Sequence, residues 1–247
     1  MTRRKPGGSH GGRRRSPEEV LKLREARAAR KEDCTLEDVG FGGVLRYEFS
    51  DCAVEVSEDW HSEKDGIAAL QWAGGVRLAR FFDSKRFEPG FWVGKRVLEL
   101  GAGCGLTSCV LAAKGAKVDC TDAEPSFASA TVEGNASTAA VHRYVWSSEP
   151  FSLVPYDVVV AGDCLYHETH ATDLCFALEA NGDDDTDVYV CGAVSPEAHR
   201  AFVGLATDRF DVDLLLTGGD WAPGVVDWDE RSLLRLRKKK KKASKTS

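Results

Sequence analysis

The sequence predicts an α/β fold with a doubly wound, mainly parallel sheet. Strand-like and helix-like segments alternate from residue 95 onward, which is the pattern of a parallel sheet with connecting helices. Residues 156–161 form an apolar run of the kind expected for a parallel strand buried on both faces. Residues 97–106 join an apolar strand to a helix through a glycine-rich turn. Ligands of such sheets bind beyond the carboxyl ends of the strands, where the strand order reverses.

The chain divides into a basic tail at residues 1–31, a single domain at 32–237 and a second basic tail at 238–247. We expect the first tail to be disordered at its start, where Arg, Gly and Ser dominate. Ser16-Pro17, followed by two acids, is a helix-start signal, so the rest of that tail is predicted to be helical.

The elements of the domain follow in order. Residues 43–57 alternate as a hairpin does and predict a small N-terminal β extension. Residues 66–82 have helical apolar spacing. The strands of the main sheet are predicted at residues 96–100, 117–121, 142–146, 156–161, 187–191, 210–216 and 229–237, the last two as an antiparallel pair. The connecting helices are predicted at residues 106–114, 127–134, 172–180 and 197–209.

The turn after the first of these strands has the pattern G-x-G-x-G, with glycines at Gly101, Gly103 and Gly105. Glycines let the backbone approach a ligand where a side chain would block it. Asp122 ends the next strand 21 residues after Gly101, close to the spacing at which an acid binds ribose hydroxyls. The sequence therefore predicts a nucleoside-containing ligand, although an ordinary tight strand–helix turn gives the same glycines.

Two features favour S-adenosylmethionine over a dinucleotide. The third glycine comes one residue earlier than in the G-x-G-x-x-G fingerprint of pyrophosphate sites. Glu99 also lies just before the loop, where a carboxylate is unfavourable beside pyrophosphate. The same carboxylate suits a ligand with an ammonium and a sulfonium group.

The charge is distributed unevenly along the chain. Residues 32–230 contain 13 basic and 36 acidic residues, whereas both ends are strongly basic. An acidic body attracts cationic partners and repels phosphate backbones, so we expect a protein substrate with a basic surface. Simple solubility is the plainer explanation of that acidity. No apolar run approaches the roughly 20 residues of a membrane-spanning helix, so no membrane partner is expected.

These features resemble the methyltransferase-like, seven-β-strand protein-lysine methyltransferases over roughly residues 43–237. The most specific match is the D-x-x-Y signature Asp163-Cys164-Leu165-Tyr166 after the fourth strand. The stretch between Asn135 and Trp146 is short for this family, and residues 192–196 lack the basic residues that some members have there. The other matching stretches are residues 66–72, 97–106, Thr121-Asp122, Asn135 and Val145-Trp146.

The resemblance implies a Rossmann-like class I methyltransferase fold with S-adenosylmethionine as cofactor. It places Trp146 against the adenine and Trp72 near the methionine portion, and it makes Asp163 and Tyr166 catalytic, with Asp163 also contacting the cofactor. Asp163 as a helix cap, and the three aromatic residues as core packing, are the alternatives. The cofactor contacts expected in all are Trp72, Glu99, Gly101, Gly103, Gly105, Asp122, Trp146 and Asp163.

The predicted function is methylation of a lysine side-chain amine in a non-histone protein. A same-fold enzyme acting on a protein histidine, a protein N-terminus or a small-molecule amine is the first alternative. An inactive scaffold that binds RNA or ribosomes is the second. Cys164, His167 and His170 form C-x-x-H-x-x-H, but without a fourth ligand nearby we expect no metal site.

The run Lys238–Lys242 indicates nuclear import, weak contact with RNA or ribosomes, or only a solvated tail. We therefore expect the protein in the cytoplasm, the nucleus or both. We also expect it to be a monomer.

Overall fold

The computed structural model describes residues 35–39, 42–59, 69–192, 195–216 and 232–240. The predicted first tail with its helix, and residues 241–247, lie outside these ranges. Three strands form a small antiparallel sheet in the order β1-β2-β3. They are β1 (Thr35–Val39), β2 (Gly42–Glu48) and β3 (Ala53–Asp59). This sheet confirms the predicted N-terminal β extension, and β1 is an addition that the sequence did not predict.

Seven further strands form the main sheet, in the order β6-β5-β4-β7-β8-β10-β9. The order reverses between β4 and β7, and β10 runs antiparallel to both of its neighbours, which confirms the predicted doubly wound sheet. The strands are β4 (Arg96–Leu100), β5 (Lys117–Asp122), β6 (Ala140–Arg143), β7 (Val158–Gly162), β8 (Asp187–Cys191), β9 (Phe210–Leu216) and β10 (Leu233–Lys238).

Helices cover both faces of this sheet. They are α1 (Ala73–Asp83), α2 (Leu106–Ala113), α3 (Ser126–Gly134), α4 (Glu168–Asn181) and α5 (Pro196–Arg209). Alternate residues of the buried strands point to opposite faces. Val97 and Val158 therefore pack in one apolar cluster with the first three helices, and Leu98 and Val159 pack in a second with α4 and α5. Within the described residues, no helix is both long and apolar enough to cross a membrane.

Several predicted elements have other bounds than predicted: the strand predicted at 156–161 begins at Val158, and the helix predicted at 172–180 begins at Glu168. Two further shifts are explained by hydrogen bonds. The helix predicted at 66–82 begins only at Ala73; of its predicted first part, residues 66–68 lie outside the described ranges, and 69–72 are not α-helical. The Gln71 N–H donates to the Glu58 carboxylate at 2.5 Å, which ties this stretch to β3 instead. The strand predicted at 142–146 lies at Ala140–Arg143, because its ladder with β5 closes with the Tyr144 N–H donating to the Asp122 carbonyl at 2.9 Å.

The boundary of the second tail also needs correction. Lys238 belongs to β10, and the Lys239 N–H donates to the Arg209 carbonyl at 3.0 Å. The folded domain therefore includes both of these lysines, which the sequence assigned to a disordered tail. Alternation of charged and apolar residues ends at Arg237, so the sequence contains no signal for this last step of the strand.

Candidate functional site

The glycine loop joins β4 to α2 at the point where the strand order reverses. Gly101, Gly103 and Gly105 have φ of +65°, +54° and +79°, a region that residues with a side chain rarely adopt. A Cβ on Gly101 would lie 2.8 Å from the Cys164 sulfur and 2.9 Å from Cζ2 of Trp146. The three predicted glycines thus form one close-packed loop, and any side chain on Gly101 would displace its neighbours.

Glu99 lies beneath this loop rather than at its surface. Its side chain is 3% exposed, and the carboxylate accepts from the Ser108 N–H at 2.9 Å and from the Ser108 hydroxyl. Burial raises the pKa of Glu99 to about 7, although both Ser108 donors favour the ionised form. Glu99 therefore stabilises the start of α2 through hydrogen bonds. Its direct contact with a cofactor ammonium remains a prediction.

Asp122 stands at the carboxyl end of β5 and holds the loop from the other side. Its Oδ2 accepts from the Gly103 N–H at 2.8 Å, and its Oδ1 accepts from the Glu124 N–H at 2.9 Å. Burial raises the pKa of Asp122 above its ordinary value, and the backbone amides of Glu124, Gly103 and Ala123 counteract that effect. A carboxylate has about four lone-pair sites, so with three amide donors it can still accept from a ribose hydroxyl.

Aromatic rings line the approach to the loop. Trp146 leaves the sheet after β6 and packs on Gly101, and the His170 ring stands perpendicular to it with the centroids 6.4 Å apart. His170 also meets Tyr166 at 4.1 Å. Tyr166 is 41% exposed, and burial of its hydroxyl raises its pKa to about 12, so it is a neutral phenol at pH 7. The structure thus links two predicted site residues through His170, which sequence reasoning had considered only as a metal ligand.

Asp163 follows β7 with a φ of +52°, in the left-handed region. Its N–H donates to the Cys191 carbonyl at 2.8 Å, and its Oδ2 accepts from the Gly74 N–H at the start of α1. Asp163 is therefore a helix cap, as the plainer alternative held, but it caps a helix 89 residues earlier in the chain. Its catalytic role remains a prediction.

Two residues from the family match have roles that the sequence did not specify. Trp72 is half-buried and is the N-cap residue of α1, the same helix that Asp163 caps through Gly74. Asn135 accepts from the Glu55 N–H at 2.8 Å and donates to the Glu55 carbonyl at 2.7 Å. Asn135 thus joins the end of α3 to β3 and docks the small sheet on the domain.

Cys164 is a packing residue beside the loop. Its thiol donates to the Leu100 carbonyl at 3.2 Å, and burial raises its pKa well above the ordinary value, so the sulfur stays protonated. His167 is the N-cap residue of α4, and its Nδ1 accepts a hydrogen bond from the Thr169 N–H. Over the ranges that the structure describes, no cluster of three or more His, Cys, Asp or Glu side chains is arranged to hold a metal ion.

Comparison with known proteins identifies the family. The sequence profile of a family described as lysine methyltransferase matches residues 51–209. The chain belongs to this family. It is similar to protein N-lysine methyltransferase METTL21A of Danio rerio, with 32% identity over 169 residues, 64% of this chain and 75% of that protein. It is also similar to calmodulin-lysine N-methyltransferase of Arabidopsis thaliana, with 29% identity over 138 residues, 51% of this chain and 44% of that protein.

Solved structures show the same fold. The T. thermophilus 16S rRNA methyltransferase RsmC, in complex with AdoMet and guanosine, has a TM-score of 0.58 at 14% identity, covering 89% of this chain and 61% of that one. Family membership confirms the expected S-adenosylmethionine-dependent methylation of protein lysines. It also favours lysine over the histidine, N-terminal and small-molecule alternatives.

The residues present fit S-adenosylmethionine. At the carboxyl ends of the strands the loop presents backbone that carries no side chain at Gly101, Gly103 and Gly105, and Asp122 offers acceptors beside it. When bound, the cofactor supplies a methyl group activated by a sulfonium. Asp122 would hold its ribose and Trp146 its adenine, while the buried carboxyl group of Glu99 lies beneath the same loop. These assignments remain predictions for the individual side chains.

Proposed function

We propose that this enzyme methylates a lysine side chain of a non-histone protein, at a site whose surroundings are basic. One observation carries the proposal: the fold brings Asp163 and Tyr166 to the same end of the sheet as the glycine loop. In the sequence these two residues follow Asp122 by 41 and 44 positions. The acidic body supports a basic partner, since 36 acids and 13 basic residues fall within 32–230. The Arabidopsis relative is named for a protein substrate, calmodulin.

Asp163 and Tyr166 would prepare the amine for transfer. A lysine amine has a pKa of about 10.4, so the site has to favour loss of its proton before the nitrogen can attack. The Asp163 carboxylate attracts the ammonium, which gives one proton to water, and the carboxylate then orients the neutral amine. The nitrogen forms its bond to the methyl carbon as the bond from that carbon to the sulfonium sulfur breaks, and S-adenosylhomocysteine is the leaving group. The half-exposed Tyr166 ring lies against the lysine stem as it enters. Orientation is the main contribution that the protein makes to an in-line displacement.

The test is transfer of a labelled methyl group from S-adenosylmethionine into a lysate of the source organism, followed by mass spectrometry of the labelled residue. The expected product is a methylated lysine in a non-histone protein. Asp163→Ala should reduce transfer strongly while its affinity for S-adenosylhomocysteine stays within about threefold of wild type, because the loop, Asp122 and Trp146 make most of the expected cofactor contacts and are unchanged. Label found on histidine, on a protein N-terminus or on histones would contradict the proposal.

We further propose that the basic ends of the chain act apart from the cleft. Lys238–Lys242 would direct nuclear import or contact RNA weakly, with the enzyme a monomer in the cytoplasm, the nucleus or both. Support comes from the sequence alone, where nine basic residues and no acid fall within 231–247. RNA contact would show a steep salt dependence.

A further inference from the structure

The amino end of α1 lacks a cap of its own. Its N-cap residue, Trp72, makes no side-chain hydrogen bond to the helix, and its first turn contains no acidic residue. The first turn of a helix leaves backbone N–H groups without partners and attracts negative charge. The Asp163 carboxylate provides both a hydrogen-bond acceptor and a negative charge there, because its Oδ2 accepts from the Gly74 N–H.

The carboxylate of Asp163 lies in a slot between two glycines. A Cβ on Gly74 would be 2.7 Å from Asp163 Cγ and 2.7 Å from the Cys191 carbonyl oxygen. A Cβ on Gly192 would collide with the other carboxylate oxygen, Oδ1. Real Cβ atoms do not approach this closely, so a methyl group on either glycine has to move Asp163. The slot therefore fixes both oxygens of the carboxylate.

The backbone reinforces the slot from the sheet side. Gly192 has a φ of +75°, and its N–H donates to the Ser232 carbonyl at 3.1 Å. Asp163 has a φ of +52°, which Asp and Asn tolerate better than most residues because their short polar side chains bond locally. The ends of β7 and β8 and the start of α1 thus meet at this one side chain.

We propose that Gly74 and Gly192 are positioning residues for methyl transfer: they form the slot that aims the Asp163 carboxylate at the incoming amine. The inference rests on the function proposed above for Asp163.

The experiment compares Gly74→Ala and Gly192→Ala with Gly204→Ala, a helical glycine of α5 whose added Cβ meets nothing within 4 Å. Alanine favours helix over glycine, so Gly74→Ala should fold if the position is only helical. We expect both slot variants to lose at least about tenfold in kcat while S-adenosylhomocysteine affinity stays within about threefold, and Gly204→Ala to match wild type. Wild-type kcat in either slot variant would overturn the inference.

Hydrogen exchange of the Gly74 amide gives a second readout that needs no change at the glycines. Asp163→Asn keeps the shape and an acceptor oxygen, so the amide should stay protected, whereas Asp163→Ala should remove the protection. Protection that survives Asp163→Ala would overturn the slot. The two proposals fail differently: an active Asp163→Ala enzyme refutes the role of Asp163, whereas an inactive one with active slot variants refutes only the slot.

Discussion

At the scale of single residues, Gly101 tests the cofactor loop most directly. A Cβ there would meet the Cys164 sulfur and the Trp146 ring, and alanine is strained at a φ of +65°. S-adenosylhomocysteine at 100 times its dissociation constant should stabilise the wild type by about 2.7 kcal/mol, which appears as a rise in melting temperature. Gly101→Ala should abolish this rise. Gly134→Ala, which adds a Cβ in open space, is the control. Normal binding by Gly101→Ala would show that the loop does not hold the cofactor.

Glu99 should make stability depend on pH. Burial raises its pKa from the ordinary 4.5 to about 7 in the folded protein. Between these values the unfolded chain releases a proton that the folded protein retains, so the free energy of unfolding falls as the pH rises from about 4.5 to about 7.

Glu99→Gln cannot ionise but still offers Ser108 an acceptor, so it should lack this fall. Between pH 4 and pH 8 the difference in the free energy of unfolding should move by about 3 kcal/mol in favour of the variant. Urea unfolding across this pH range measures both curves. Parallel profiles for the two proteins would contradict an ionising, buried Glu99.

At the scale of elements, Lys114 holds three segments together. Its ammonium lies 2.7 Å from Asp83 at the end of α1 and 2.8 Å from Asp51 in the β2–β3 turn, and its side chain is 11% exposed. Lys114→Met should cost about 2 kcal/mol, because among the described residues it leaves the Asp83 charge with its Ser50 donors alone. Arg46→Met, which breaks two exposed pairs of β2, should cost less than about 1 kcal/mol. Equal losses in urea unfolding would refute the difference.

Elements built from local signals were predictable, and those built from distant contacts were not. The strand, glycine loop and helix around Gly103 follow from adjacent residues, and so does the buried run of β7. The bond from Gly74 to Asp163 spans 89 residues, and the bonds between Asn135 and Glu55 span 80. No pattern in the sequence contains such pairs. The sequence therefore does not predict the start of α1 or the slot around Asp163.

At the scale of the whole molecule, the two ends of the main sheet differ in charge and task. The carboxyl ends of the parallel strands hold the glycine loop, Asp122 and Asp163. Because β10 runs antiparallel, Lys238 lies at the opposite end, where its ammonium donates to the Gly182 carbonyl at 2.6 Å after α4. Lys239 donates to the Thr207 carbonyl at 2.5 Å near the end of α5. The first two lysines of the basic run therefore stabilise helix C-termini, where positive charge is favourable.

This arrangement divides the basic run into two groups with separable effects. Changing Lys238 and Lys239 to Met should lower the free energy of unfolding by about 1–2 kcal/mol, because two helix ends lose a cationic donor. Changing Lys240–Lys242 to Ala should leave stability within about 0.5 kcal/mol of wild type, and it should be the change that reduces nuclear accumulation of a fluorescent fusion. Urea unfolding and imaging of both variants beside wild type separate the two effects. Methyl transfer should survive in both, since the cleft lies at the other end of the sheet. A stability loss confined to the second variant would refute the division.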